Sequence, residues 1–143
     1  MNQRRQVRGS KFSTWIGAEF YVEPDGRVTV TAVLREEHGG PPGHTHGGVL
    51  AALLDEAMGA AAWHAGHKSV AANLTVNYKQ PVPVGSEIRV SARVERIEGR
   101  KAYTAGALTL PDGTIAAEGT AIFIAVSTLP DDGSFQFGKL IPD

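Results

Sequence analysis

The chain contains no cysteine. Disulfides, a thiol nucleophile and thiolate metal sites are therefore excluded, and the composition is compatible with a reducing compartment. Charge of one sign is not in excess: 14 Lys and Arg stand against 15 Asp and Glu, a net charge of −1. Nucleic-acid binders usually carry a basic excess, so no nucleic-acid partner is expected. No apolar run reaches the ~18 residues of a membrane span, because 47–63 is interrupted by Asp55 and Glu56. The basic start, MNQRRQVRGSK, is followed by no apolar h-region and does not read as a secretory signal. A flexible arm over residues 1–12 and a cytoplasmic location are the expectations. The sequence shows no internal repeat and no low-complexity tract.

What is present suits one domain: 143 residues, 42% of them hydrophobic. Two apolar stretches in 17–34 flank Pro24-Asp25-Gly26, a hairpin signal, and RVTVTAVL alternates like a half-buried strand. Residues 36–46, EEHGGPPGHTH, hold two prolines and three glycines and read as loop. Residues 47–64 are too long for a strand and rich in Ala and Leu, so they predict a helix, with Gly66 as its stop. Its apolar residues run nearly all the way round, and such a helix needs to be wrapped by other structure. From residue 69 the period switches to two. Strands are predicted over 69–80, 87–98, 101–110 and 114–127, with breaks at 81–85, Glu98-Gly99 and Pro111-Asp112-Gly113. One antiparallel sheet around one helix, an α+β architecture over 13–128, satisfies the burial demand. The tail, 129–143, carries Phe135, Phe137, Leu140 and Ile141, and either packs on the sheet or stays disordered.

Between His46 and His64 only Asp55 and Glu56 are charged. An exposed strip is one explanation for such a pair. A carboxyl held in an apolar setting is the other, and a shifted pKa would make it a useful base or nucleophile. At the helix start, His46-Gly47-Gly48 offers unpaired N–H groups at the positive end of the dipole, and an N–H aimed at a carbonyl oxygen is half an oxyanion hole. Gly47 and Asp55 are eight residues apart, about 12 Å along the axis. One substrate atom cannot touch both on the same helix. The distance closes if Asp55 meets the helix start of a second subunit.

The blocks GPPGHTHGGVLAALLDEAMG, ANLTVNYKQPVP and VERIEGRKAY, with the acid nine residues after the HGG histidine, resemble the hotdog-fold acyl-CoA thioesterases. The mitochondrial long-chain subgroup and its bacterial relatives are the nearer likeness, and phenylacetate-pathway thioesterases share the HGG and the acid. The resemblance runs from about Gly40 to Val126 and implies a long helix enclosed by a curved antiparallel sheet. It implies Asp55 as nucleophile or general base, the Gly47 amide as polariser of the thioester carbonyl, and His46 as shaper of the helix start. It also implies a homodimer with sites shared between subunits, pairing further into a tetramer, an acyl-CoA substrate, and no metal or separate cofactor. Gly48 and Glu56 are counted among substrate contacts by position, Glu56 with no family role of its own. Many relatives carry Ser or Thr on the strand after the helix; here that position is Ala71, with Ser69 and Asn73 expected on the same strand face. Phenylacetate-type enzymes carry Asn where this chain has Gly40, which favours the long-chain-like subgroup or else a different substrate.

Other features have competing readings. His38, His44 and His46 with a carboxylate could bind zinc, but a Gly/Pro loop is a poor cradle and the family needs no metal. Arg100 and Lys101 form either a solvated hairpin tip or a contact to coenzyme A phosphates, with Lys79 and Arg93 as weaker candidates. Small residues on the helix and over 102–107 fit close helix–sheet packing better than room for an acyl tail. Two functions compete with thioester hydrolysis: a hotdog dehydratase or hydratase, and a non-catalytic acyl-CoA-binding module, for which Ala71 speaks.

Overall fold

The computed structural model describes residues 3–129 and 136–142. Its central element is helix α2 (Gly47–His64). The chain enters α2 through His46, whose Nδ1 accepts the Gly48 N–H at 2.8 Å, a side-chain cap on an otherwise orphaned donor. It leaves at Gly66, where φ is +89° and the N–H returns to the Trp63 carbonyl at 2.9 Å.

Around α2 lie β1 (Arg5–Val7), β2 (Glu19–Val22), β3 (Val28–Val33), β4 (Ser69–Tyr78), β5 (Glu87–Glu98), β6 (Lys101–Thr109) and β7 (Ile115–Ala125). They form one sheet in the order β1-β2-β3-β5-β6-β7-β4, every pairing antiparallel. The expected hairpin at 24–26 and the four strands after the helix are all present. The α+β expectation holds.

The core lies between α2 and the inner face of the sheet. Leu53, Leu54 and Met58 are fully buried there, each contributing roughly 2 kcal/mol by leaving water. Ile88, Val90 and Ala92 of β5 meet them with alternate side chains. Glycines leave room for the close approach of neighbours: a Cβ at Gly119 would lie 2.8 Å from the Thr75 carbonyl oxygen of the adjacent strand and 3.7 Å from Leu54 and Met58 of the helix, and one at Gly106 would stand 3.4 Å from Met58. The small residues of this region therefore serve packing.

Two expectations need correction. Residues 1–12 are not simply an arm: β1 pairs with β2, Val7 is buried, and helix α1 (Lys11–Ile16) begins within them. The hydrogen-bonding edge of β2 and the apolar pocket for Val7 and Ile16 supply what the local sequence lacks. The enclosure of α2 is also incomplete in a single chain. Ala51, Ala52, Asp55 and Glu56 stay half-exposed, and β4 is open on both faces along most of its length. Of the tail, Phe137 is buried, Leu140 bridges to Val7 and the Ile141 N–H bonds to the Gln6 carbonyl, so the described part packs on the domain. Phe135 lies outside the described residues.

Glu56 ties α1 to α2. Its Oε1 accepts hydrogen bonds from the hydroxyls of Ser10 and Ser13, and Ser10 also caps α1 by accepting the Ser13 N–H. Ser10→Ala removes a cap and a charge-assisted bond together. It should lower stability by about 1–2 kcal/mol, a drop in Tm of about 3–8 °C, with residues 5–16 losing hydrogen-exchange protection first. Thermal denaturation and exchange mass spectrometry check this.

Candidate active site

Asp55 lies midway along α2, where Leu53, Leu54, Ala57 and Met58 around it are turned into the core. Its carboxyl is partly withdrawn from water, and this burial, with the adjacent Glu56 charge second, pushes its pKa from the ordinary 3.8 up to about 6. The acid opens onto a cavity of about 260 Å³. Gly59 and Trp63 line it from the same helix, at the four-residue spacing that stacks side chains on one face. Phe123 and Phe137 close it from the sheet and the tail. Gly59 keeps it open to these rings: a Cβ there would sit 3.2 Å from Phe123. The result is an apolar hollow with one ionisable group of shifted affinity at its mouth.

Ser69 and Ala71 form the β4 side of the cavity. The Ser69 hydroxyl donates to the His67 carbonyl at 2.9 Å, and the Ser69 carbonyl accepts from Trp63 Nε1 at 3.0 Å. Asn73 is not on this face. The β4–β7 register shifts between Ala71 and Asn73, so Ala71 pairs with buried Phe123 while Asn73 pairs with Ile122. One extra residue in β4 turns Asn73 to the opposite face of the sheet. Strict alternation could not foresee this. Glu56 lines the cavity too, but its Oε1 is occupied by the two serines.

The helix start is built to leave one amide available. The Gly48 N–H goes to His46 Nδ1, and the Val49 N–H reaches the His46 carbonyl at 3.0 Å. Among the described residues no acceptor meets the Gly47 N–H. Two glycines make room for the His46 ring: a Cβ at Gly48 would lie 2.9 Å from its Nδ1, and one at Gly40 would lie 2.9 Å from its Cα. The Gly40 position is thus set by packing against the cap.

The three loop histidines do not converge. His38 is buried, with Nδ1 accepting the Arg35 N–H at 2.9 Å; His44 Nδ1 lies 3.0 Å from the Pro42 carbonyl; His46 serves the cap. Among the described residues no three His, Asp or Glu side chains gather into a metal-binding group. Arg100 and Lys101 stand exposed at the β5–β6 tip. The Arg100 guanidinium donates to the Ala125 carbonyl at 3.1 Å, and Ala125 pairs with Ser69, so the tip flanks the cavity end of β4. Lys79 and Arg93 are paired with Glu118 and Glu95. Sequence reasoning missed Ser10, Trp63, Phe123, Phe137 and Tyr78, whose hydroxyl donates to the Gly47 carbonyl at 2.8 Å. Only Trp63 carried a signal, its spacing from Asp55; the rest arrive through long-range folding.

The profile of the thioesterase superfamily matches residues 42–117, which contain the HGG turn, all of α2 and the strands up to β7. An acyl-coenzyme A thioesterase THEM4 of Xenopus laevis is 43% identical over 86 residues, 59% of this chain and 39% of that protein. The chain spans less than half the length of the THEM4 relatives it matches. Among solved structures, the phenylacetic acid degradation-related protein of Ralstonia eutropha JMP134 aligns with a TM-score of 0.72 at 25% identity, covering 83% of this chain and 92% of that one. A thioesterase-type protein of Streptococcus pneumoniae TIGR4, solved with coenzyme A, aligns with a TM-score of 0.68 at 20% identity, covering 71% and 80%. The latter likeness shows the fold alone, and that fold is the hotdog. The matched profile spans just over half of the residues, so the chain belongs to the thioesterase superfamily.

Proposed function

We propose that the protein hydrolyses an acyl-CoA, or a closely related acyl thioester, to the free acid and the thiol. One observation carries this reading: a partly buried carboxyl of raised proton affinity, Asp55, lines an apolar cavity within a superfamily of thioesterases. The cavity suits an acyl group, and the carboxylate suits attack on the thioester carbon, either directly or through a water it deprotonates. The Gly47 N–H polarises the carbonyl oxygen and stabilises the charge that gathers there. The coenzyme named with the streptococcal neighbour and the activity named for the frog relative support the same substrate class. Arg100 and Lys101, at the tip beside Ser69, then meet the phosphates of the coenzyme.

The site is shared between two copies. Eight residues separate Gly47 from Asp55, about 12 Å of helix, so one chain cannot bring both to one atom. β4 offers the means of joining. It ends the sheet, runs ten residues, and exposes Val70, Leu74 and Tyr78. A long open edge with apolar side chains is a template for another strand. Pairing β4 with its two-fold mate continues the sheet and sets two α2 helices antiparallel, each helix start facing the other's middle. The half-exposed Ala51, Ala52 and Asp55 are then covered.

Three outcomes are expected. Asp55→Asn should lose at least about 100-fold in kcat, followed by thiol release from a panel of acyl-CoAs. The same variant should be more stable at pH 7, by about 1 kcal/mol once solvent screening of the partly exposed group is allowed for. The sign follows from the raised pKa: the folded chain holds the Asp55 proton more tightly than the unfolded one, so this group costs stability as pH rises between about 4 and 6. A rise in kcat/KM through about pH 6 should accompany it, as the carboxylate form fills. A flat profile from pH 5 to 8 would remove Asp55 from the role.

Gly47→Pro deletes the polarising N–H while keeping the helix, because Gly47 is the first helical residue and His46, at φ −61° and ψ 131°, already has a backbone that precedes proline comfortably. Activity should fall about 100-fold or more with helicity retained. Mixing unfolded Asp55→Asn and Gly47→Pro chains and refolding them should restore about a quarter of parental activity, since half the dimers are mixed and each has one intact site of two. No recovery would mean that the two groups act within one chain. Tight acyl-CoA binding without turnover by the parent would make the protein a binding module, the reading that Ala71 favours.

A further inference from the structure

The Gly47–Gly48 pair is the most flexible dipeptide a helix start can have. Polarising a carbonyl demands the reverse, since a donor a few tenths of an ångström off loses its value. Something must hold this backbone. The Gly47 carbonyl and the Gly48 N–H belong to the same peptide unit, and both are gripped by side chains. His46 Nδ1 takes the N–H at 2.8 Å, and the Tyr78 hydroxyl donates to the carbonyl at 2.8 Å. The Tyr78 ring also lies along Gly47, where a Cβ would stand 3.6 Å from its Cε1, Cζ and hydroxyl oxygen. Tyr78 is 31 residues further along the chain and comes from the last position of β4.

We propose that Tyr78 is a positioning residue for the thioesterase reaction, its hydroxyl fixing the Gly47–Gly48 peptide so that the preceding Gly47 N–H keeps its aim at the substrate carbonyl. The inference rests on the thioesterase reading above. The Tyr78 side chain contributes little to the fold itself. It is 53% exposed, and it is absent from the buried core. A helical carbonyl in the first turn already has its own acceptor role toward the N–H four residues on, so the Tyr78 bond is not needed to satisfy it. What the bond adds is direction. His46 alone grips one end of the peptide and leaves it free to rock; Tyr78 grips the other end from a separate element. Because Tyr78 sits on the strand proposed to join two copies, the same strand that brings the partner's acid also holds the amide.

The test is Tyr78→Phe in the full chain, which keeps the ring on Gly47 and deletes only the donor. Its Tm should stay within about 2 °C of the parent. Its kcat should fall about tenfold while KM stays within about twofold, the mark of an interaction felt in the transition state. A second measurement does not depend on turnover. In protein labelled with 15N-glycine, the Gly47 and Gly48 amide signals should shift and the Gly48 amide should exchange faster in the variant. Unmoved glycine signals overturn the proposal, whether kcat is retained or falls along with Tm. A kcat loss matched by an equal rise in KM overturns it as well. If the parent hydrolyses no acyl-CoA while the glycine signals still move on substitution, the thioesterase reading fails and the role of Tyr78 in holding this peptide stands.

Discussion

A helix with almost no polar side has to be enclosed, and most of the architecture is the enclosure of α2. Five strands of one sheet pack against it, with Leu54 and Met58 entering the space that Gly106 and Gly119 leave open. The same packing partly buries Asp55, and that burial raises the proton affinity of its carboxyl. Core packing and the proton affinity of Asp55 thus draw on one cause. The burial that holds the sheet to the helix also lifts the pKa of an ordinary aspartate to about 6.

The two adjacent carboxylates have separate environments because neighbours on a helix point about 100° apart. Glu56 turns toward α1, where the hydroxyls of Ser10 and Ser13 hold it and fasten α1 to α2. Asp55 turns to the hollow between Trp63 and the phenylalanines. Glu56 adds to the Asp55 shift as a second, smaller cause, so the fastening of the N-terminal segment and the tuning of the acid are linked through one side chain.

Much of this was legible in the residues. Length and Ala and Leu content placed α2 with its bounds intact, and a period of two found the strands after it. The acid and the HGG turn were legible as well, since a charge amid apolar neighbours and a glycine pair at a helix start are local features. What escaped depends on distant partners. β1 is three residues long and forms because β2 offers an edge. The cavity walls come from residues 10, 63, 123 and 137, and nothing near Phe137 in the chain marks it as a neighbour of Trp63, though their ring centres lie 6.0 Å apart. The role of Gly40 was hidden for the same reason: its need for no side chain lies in the backbone of His46, reached by a loop that folds back on itself.

The irregularity in β4 has a further meaning. A strand presents alternate residues to one side, so a single added residue reverses the parity of everything beyond it. Ahead of the irregularity, odd-numbered positions look toward α2; beyond it, even-numbered Leu74 pairs with buried Ala121 and takes that side. Ser69 and Ala71 are the positions of that parity on the wall of the hollow, with Val70 between them lining it as well. Changes at 73, 75 or 77, however polar, land on the outer surface. The strand therefore changes what it offers along its length: positions that line the hollow at its start, and Tyr78 beside the helix start at its end.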